Sequence, residues 1–385
     1  MISREDATRL LLEHVTPLLG EELDIPEVPG RVAAENVVTE ADLPPTCISR
    51  VDGYCVRSRD TTGASASRPV SLLVASGVFP EDDPAPLPAG ACAVVVTGSP
   101  LPPGADACVP QEETQASEGS ILLAAPVAPG ERVAAPGSEI PRGTQLLRAG
   151  VRVRSCQVGL LASAGRRSLL CHRVPAVTLL GTGSELGLPS GPGGVTPASN
   201  LYMLHAFLAS MGARPVTSGV LPDDPVMIAR ALAEAGGDLI VTTGGTGPGS
   251  RDVLAEGLSM AGAGALFRGV LMKPGRHTSA FLLGGRLILG LSGPPTAALA
   301  GFQALVKPVV LRLMGLHDVN PPGNKARLDG EIRPSSLETL LPVTLHGSGP
   351  WARPAGPGEC PEALLVVPRG AEGRHGEVFP VLLLD

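Results

Sequence analysis

Between Val174 and about Leu316 one pattern repeats: a short uninterrupted apolar run, a turn, then a helical stretch. The runs are AVTLLGTG (176–183), RPVTSGVL (214–221), DLIVTTGG (238–245) and RLILGLSG (286–293). Strands that are apolar on both faces and alternate with helices constrain a chain strongly, because they are stable only as a parallel sheet covered on each side. The helices are expected at about 199–212, after Asp224, from about Asp252 and at 295–314. Three of the four runs end in a glycine-rich turn leading toward a helix: GTGSELG, GGTGPGSRD and SGPPTA. Ligands of open α/β sheets bind outside the carboxyl ends of the strands. Glycine lets a backbone approach closely, and helix-start N–H groups favour an anion, so a phosphate-bearing ligand is expected there.

The flanks have another texture. Ser3 followed by Asp6 resembles a capping box, and Leu10, Leu11, Val15, Leu18 and Leu19 form one stripe, predicting an amphipathic helix over about 4–20 that ends at Gly20. From 28 to 170 short β-like runs are broken by Pro and Gly, among them VSLLVA (70–75), CAVVVTG (92–98), ACVPQEE (107–113) and SILLAAPV (120–127). A second helical stretch is SCQVGLLASAG (155–165), and the tail from about 318 carries PVTLHG, ALLVVP and VFPVLLL. The expected fold class is α/β plus β and multidomain. It comprises a helical and β linker domain (1–45 with 137–173), a β-rich domain (46–136), a mostly parallel α/β domain (174–317) and a small C-terminal β domain (318–385). The 385 residues are too many for one core at roughly 150 residues per domain. Gly and Pro, 49 and 40 residues, are scattered without a period and so mark turns.

Charge and composition exclude several functions. A formal net charge of −7 and 2% aromatics leave neither a basic surface nor stacking platforms for nucleic acid. Only Lys273, Lys307 and Lys325 are lysines. No stretch reaches the ~18 consecutive apolar residues of a membrane span, and MISREDATRL lacks a signal-peptide core, so a cytoplasmic location is expected. The seven cysteines are odd in number and form no C-x-x-C pair, and the histidines lack zinc-ligand spacing, which leaves His277 beside a glycine turn as the one to watch. No Gly-Lys-Ser or Gly-Lys-Thr exists, and Gly181-Thr-Gly-Ser-Glu-Leu-Gly187 is one residue too long for the dinucleotide fingerprint. Physical reading stops at an anionic ligand in an α/β domain.

Motif order adds more. Thr242-Thr243-Gly244-Gly245-Thr246-Gly247 with Arg251-Asp252 resembles the molybdopterin-binding domain shared by molybdenum cofactor biosynthesis proteins. Val51-Asp52-Gly53-Tyr54-Cys55-Val56 resembles the MDGYAV signature of the molybdopterin molybdenumtransferase family, that of MoeA and the gephyrin E-domain. Thr97-Gly98-Ser99-Pro100-Leu101-Pro102 with Gly104-Ala105-Asp106 and Gln111-Glu112 resembles its TGAPVPxGADAVVxxE stretch, Pro136-Gly137-Ser138-Glu139-Ile140 its RxxGEDI, and Thr182-Gly183-Ser184-Glu185-Leu186 its TGDEL. Asp223-Asp224, Lys273-Pro274-Gly275-Arg276 and Gly290-Leu291-Ser292-Gly293-Pro294-Pro295 continue the series in order, and LLVVPRGAEG resembles the family's C-terminal β domain.

The sequence also departs from the family. Val51 replaces Met, Ser138 replaces an acid, Glu139 carries an extra methylene, Pro294 and Pro295 stand where Asn-Pro is usual, and His277 stands where Pro is expected. The 242–252 segment is adenylyltransferase-like.

The resemblance implies insertion of molybdate into adenylylated molybdopterin with release of AMP, by a homodimer that needs Mg²⁺. It implies catalytic acids Asp52, Glu139, Glu185, Asp224 and Asp252, with Asp52, Glu185 and Asp252 at the metal. Substrate would be held by Thr182, Gly183, Ser184, Thr243, Gly244, Gly245, Thr246, Gly247, Ser292 and Gly293, with Arg251, Lys273 and Arg276 neutralising phosphate or molybdate. Implied partners are other cofactor-biosynthesis proteins and apo-molybdoenzymes, met transiently. The alternatives are a non-catalytic molybdopterin-binding paralogue (carrier, sensor or scaffold), which the departures at Ser138 and Pro294 favour, and a molybdopterin adenylyltransferase.

Overall fold

A computed structural model describes residues 1–187, 196–245, 253–319, 323–347 and 350–384. It separates into two units: residues 1–35 with 149–158 and 168–385, and residues 36–148 with 159–167.

The first helix, α1 (Arg4–Glu13), starts as its sequence dictates: the Ser3 hydroxyl accepts from the Asp6 amide at 3.0 Å and bonds its carboxylate in return. It stops seven residues earlier than the stripe suggested. Pro17 offers no N–H and disfavours helical backbone at Thr16. The chain instead passes Leu18, whose amide bonds the Leu313 carbonyl, and enters a strand, Gly20–Asp24, paired antiparallel with Ser168–His172. Leu19, read as part of the stripe, is 86% exposed.

The second unit is built on a six-stranded sheet of β1 (Gly53–Val56), β2 (Val70–Val78), β3 (Ala91–Val95), β4 (Ala107–Pro110), β5 (Gln115–Ser117) and β6 (Ser120–Leu123), in the order β4-β1-β3-β2-β6-β5. Only β2 and β3 run parallel. Alternation along these strands sends Cys55, Ala93, Val95 and Cys108 to one face and Val56, Cys92, Ala107 and Val109 to the other, each face with its own small core. The helix α2 (Ser155–Ser163) lies where the second helical stretch was expected.

In the first unit the apolar runs are strands. The elements in chain order are β7 (Ala176–Thr182), α3 (Ser199–Ser210), β8 (Arg214–Leu221), α4 (Pro225–Glu234), β9 (Leu239–Thr243), α5 (Val253–Met260), β10 (Gly264–Arg268), β11 (Ser279–Leu283) and β12 (Arg286–Leu291), of which β7, β8, β9 and β12 are the four apolar runs. The sheet order is β8-β7-β9-β12-β11-β10, parallel through the first four strands and closed by an antiparallel pair. Every residue of β7 and β9 is buried, as continuous apolar strands require. One face packs Leu179, Val241 and Leu289 against α3 and the final helices; the other packs Leu180, Ile240 and Ile288 against α4 and α5.

The last helix runs as α6 (Pro295–Gly301), a π-helical stretch Phe302–Val306, and α7 (Lys307–Leu313). Pro308 is the cause of the π stretch, since it has no N–H for the Ala304 carbonyl and its ring would strike that oxygen in a regular helix. The Thr8 hydroxyl of α1 lies 3.3 Å from the same carbonyl, which couples the terminal helix to the break. Pro295–Leu313 is long and apolar enough to cross a membrane, but 78% of it is buried inside the protein, packed with Leu11 and Leu204 in the main core.

Beyond it, β13 (Asn324–Leu328), β14 (Glu338–His346), β15 (Trp351–Pro354), β16 (Ala363–Val367) and β17 (Val378–Leu383) pair in the ring β14-β15-β13-β17-β16-β14. This five-stranded closed barrel encloses Ala326, Leu328, Val343, Leu365, Phe379 and Val381 and leaves no free sheet edge among these strands.

Candidate functional site

Because β7, β9 and β12 are adjacent and parallel, their glycine turns emerge at one edge of the sheet. Gly244 has φ +93°, and a Cβ there would sit 2.2 Å from the Thr182 carbonyl oxygen. Its amide donates to the Leu291 carbonyl at 3.2 Å, and its Cα lies 3.9 Å from where a Cβ on Gly293 would stand. The turn after β9 is thus wedged between the ends of both neighbours, which only glycine allows. The Thr182 hydroxyl donates to the Thr243 carbonyl at 3.3 Å and faces Gly245. Thr182, Gly183, Ser184, Thr243, Gly244, Gly245, Ser292 and Gly293 are therefore brought together.

Glu185 folds back over its own turn: a Cβ on Gly183 would meet a Glu185 carboxylate oxygen at 2.8 Å. Ser184 and Asp223 bond reciprocally, Ser184 N–H to Oδ2 at 3.1 Å and Asp223 N–H to Oγ at 3.0 Å. Asp224 does something else. Its Oδ1 accepts from the amides of Val226 and Met227 at 2.8 and 3.3 Å, capping α4. The acid joined to the Gly183 turn is Asp223, which the motif reading passed over.

Lys273, which ends the two-residue strand Met272–Lys273, and Arg276, on the loop entered through the cis peptide Lys273–Pro274, are exposed. A Cβ on Gly275 would lie 3.2 Å from the Ala297 carbonyl, which places this loop against α6 just beyond Gly293. His277 is half-buried in the same loop. Thr246, Gly247, Arg251 and Asp252 lie outside the described residues.

Asp52 and Glu139 belong to the second unit. Asp52 precedes β1, and its Oδ1 accepts from the Thr97 amide at 2.6 Å and the Thr97 hydroxyl at 2.9 Å, while its carbonyl accepts from the Gln111 amide at 3.2 Å. Two family motifs, the second through both its Thr97 and Gln111 ends, meet here, because antiparallel pairing sets the start of β1 beside the ends of β3 and β4. A Cβ on Gly53 would lie 2.1 Å from the Val109 carbonyl, so no larger residue fits beneath Asp52. The Thr97 amide, then its hydroxyl, hold the exposed Asp52 carboxyl below its ordinary range. Glu139 is exposed on the segment bonded to Leu43, and no hydrogen bond joins it to Asp52 among the described residues.

Two features escaped the sequence reading. Asn200, in the first turn of α3, is buried, with its amide nitrogen 2.7 Å from the Gly293 carbonyl and 3.5 Å from the Thr243 hydroxyl. The signal was an Asn at the start of a helix facing two glycine turns, unreadable without knowing which helix face meets them. Its Oδ1, Ser292 Oγ and Thr242 Oγ have no hydrogen-bond partner among the described residues. As to Mg²⁺, no group of three His, Cys, Asp or Glu side chains able to hold a metal exists among the described residues.

Comparison with known proteins fits this geometry. Residues 2–165 match the family model of the MoeA N-terminal region (domain I and II), and 178–312 match that of a probable molybdopterin binding domain. The molybdopterin molybdenumtransferase of Nostoc sp. is 31% identical, over 82% of this chain and 75% of that protein. The chain belongs to the molybdopterin molybdenumtransferase family. It is an enzyme of the transferase class, in molybdenum cofactor biosynthesis. Its relative in Staphylococcus epidermidis is 29% identical over 100% of this chain and 96% of its own, and molybdopterin molybdenumtransferase 2 of Mycobacterium tuberculosis 30% over 86% and 84%. Among solved structures, a molybdopterin biosynthesis MoeA protein from Pyrococcus horikoshii superposes with a TM-score of 0.89 at 29% identity, covering 100% of this chain and 99% of that one.

Proposed function

We propose that this transferase inserts molybdate into adenylylated molybdopterin and releases AMP. The observation that carries the reading is the convergence of the Gly183, Gly244–Gly245 and Gly293 turns at adjacent strand ends, where backbone amides approach a phosphate without interposed side chains. In this reading Thr182, Ser184, Thr243 and Ser292 hold the substrate, Thr246, Gly247 and Arg251 belong to the same motif, and Lys273 and Arg276 supply positive charge beside α6. Glu185 and Asp223 orient the Gly183 turn. Asp52, kept ionised by Thr97, is the candidate catalytic acid, with Glu139 as the second acid of its unit. Mg²⁺ belongs to the proposal only as the cation that balances pyrophosphate charge. Among the described residues of that unit, Glu185 is the expected ligand that lies with the turns, and no step is assigned to the ion. A homodimer in the cytoplasm, passing its product to apo-molybdoenzymes, completes the proposal; the family resemblance supports it.

The test is direct. Purified protein with adenylylated molybdopterin, Mg²⁺ and molybdate should release AMP only when molybdate is present and should activate an apo-molybdoenzyme. Tight binding with no molybdate-dependent AMP release would instead establish a carrier, the reading that Ser138 and Pro294 favour.

A further inference from the structure

The unpartnered groups near the turns are not equivalent. Thr242 Oγ lies 3.5 Å from the Cβ position of Gly290, on the face of the sheet covered by α4 and α5, away from α3. Asn200 lies on the opposite face and reaches the two turns themselves. Its amide orientation is fixed, because exchanging nitrogen and oxygen would set Oδ1 against the Gly293 carbonyl at 2.7 Å. Among the described residues Oδ1 is then an acceptor with nothing to accept, in a residue that is 8% exposed. A buried unsatisfied carbonyl is costly and asks for a reason.

The chemistry of that reason is restricted. An ionised phosphate offers only acceptors, so the groups that answer the glycine amides cannot answer Asn200 Oδ1. The partner must carry an N–H or O–H. We propose that Asn200 is a positioning and specificity residue of the substrate site: Nδ2 ties the Gly293 turn to Thr243, and Oδ1 accepts a hydrogen bond from a ring N–H of the pterin. The heterocycle then docks at the Thr243–Gly293 side, with Ser292 Oγ as a neighbouring donor or acceptor, and the phosphate turns toward the amides. This rests on the molybdopterin reading above and assigns the ligand its orientation.

Molybdopterin and adenylylated molybdopterin share the heterocycle and differ at the phosphate end, so the two together test the assignment. For Asn200→Ala, the Kd of both should rise by a similar factor, about tenfold for one hydrogen bond lost with its buried acceptor. KM for the adenylylated form should rise alike, with kcat at saturation within about twofold. Asn200→Ser, a smaller disturbance to folding, should show the same paired loss. Unchanged affinities in a folded variant overturn the proposal, as does a loss confined to the adenylylated form, which would put Asn200 at the nucleotide. Wild-type protein that binds neither compound would instead sink the functional reading itself.

Discussion

Two places in this molecule gather residues from distant motifs, and they are made differently. At the ends of β7, β9 and β12 the material is backbone: glycines pressed against carbonyls, with side chains withdrawn. At the start of β1 the material is one carboxylate gripped by a threonine. The first construction suits recognition of a phosphate-bearing molecule by shape and N–H direction. The second suits chemistry, because a fixed, ionised acid costs no reorganisation when charge develops.

If that contrast is right, substitution should harm the two places in different ways. Gly244→Ala forces a Cβ to 2.2 Å from the Thr182 oxygen at a φ that disfavours L-residues, and should cost about 3 kcal/mol or more in denaturant unfolding, with loss of ligand affinity. Gly262→Ala is its control, with a similar φ of +80° but nothing within 4 Å, and should cost only about 1 kcal/mol. Equal effects would mean that close approach is not what shapes the turn.

Asp52→Asn should leave folding and Kd nearly intact while lowering AMP release by about 100-fold or more. An unchanged rate would remove Asp52 from the chemistry. Asp224→Ala should cost about 1 kcal/mol through its lost helix cap and spare turnover. Asp223→Ala should raise KM by freeing the Ser184 amide; the reverse ranking of the two would return Asp224 to the site.

A subtler effect concerns pH. The Asp52 carboxyl is depressed in the folded protein, so its ionised form persists below the ordinary aspartate range near ~3.9 and is lost only as pH falls through the lowered value. Thr97→Val removes one of the two donors and should shift the acid limb of kcat/KM to higher pH; a limb that stays put would detach Thr97 from the function of Asp52. The smallest effect is on thiols. Burial pushes Cys55 up to about 12 and Cys92 to about 11, and raises Cys108 and Cys171, so mild alkylation near pH 8 should label Cys47, Cys156 and Cys360 and spare the other four until unfolding.

The parallel strands were legible because a strand buried on both faces must be apolar throughout, and these runs also alternate with helical stretches. The β10–β11 pair was not, since its burial comes from neighbours that the local pattern does not name. The strand Gly53–Val56 was recognised only as a motif, four residues being too few to show alternation. The overextended first helix shows the weakness of periodicity alone: Leu18 and Leu19 kept the spacing, but Pro17 had already ended the helix. Asp224 was chosen over its neighbour Asp223, and only backbone direction at the start of α4 separated a cap from a turn partner.

By itself the sequence determined the α/β class, the glycine turns at three strand ends and the family, because apolar continuity, glycine placement and motif order are properties of the chain read in one direction. Tertiary structure decided that the turns share an edge, that Thr97 holds Asp52, that five terminal strands close into a barrel and that Asn200 faces two of the turns. Each of those depends on which segments lie side by side. Strand order and helix orientation are chosen by packing across the whole core, and no local run of residues encodes them.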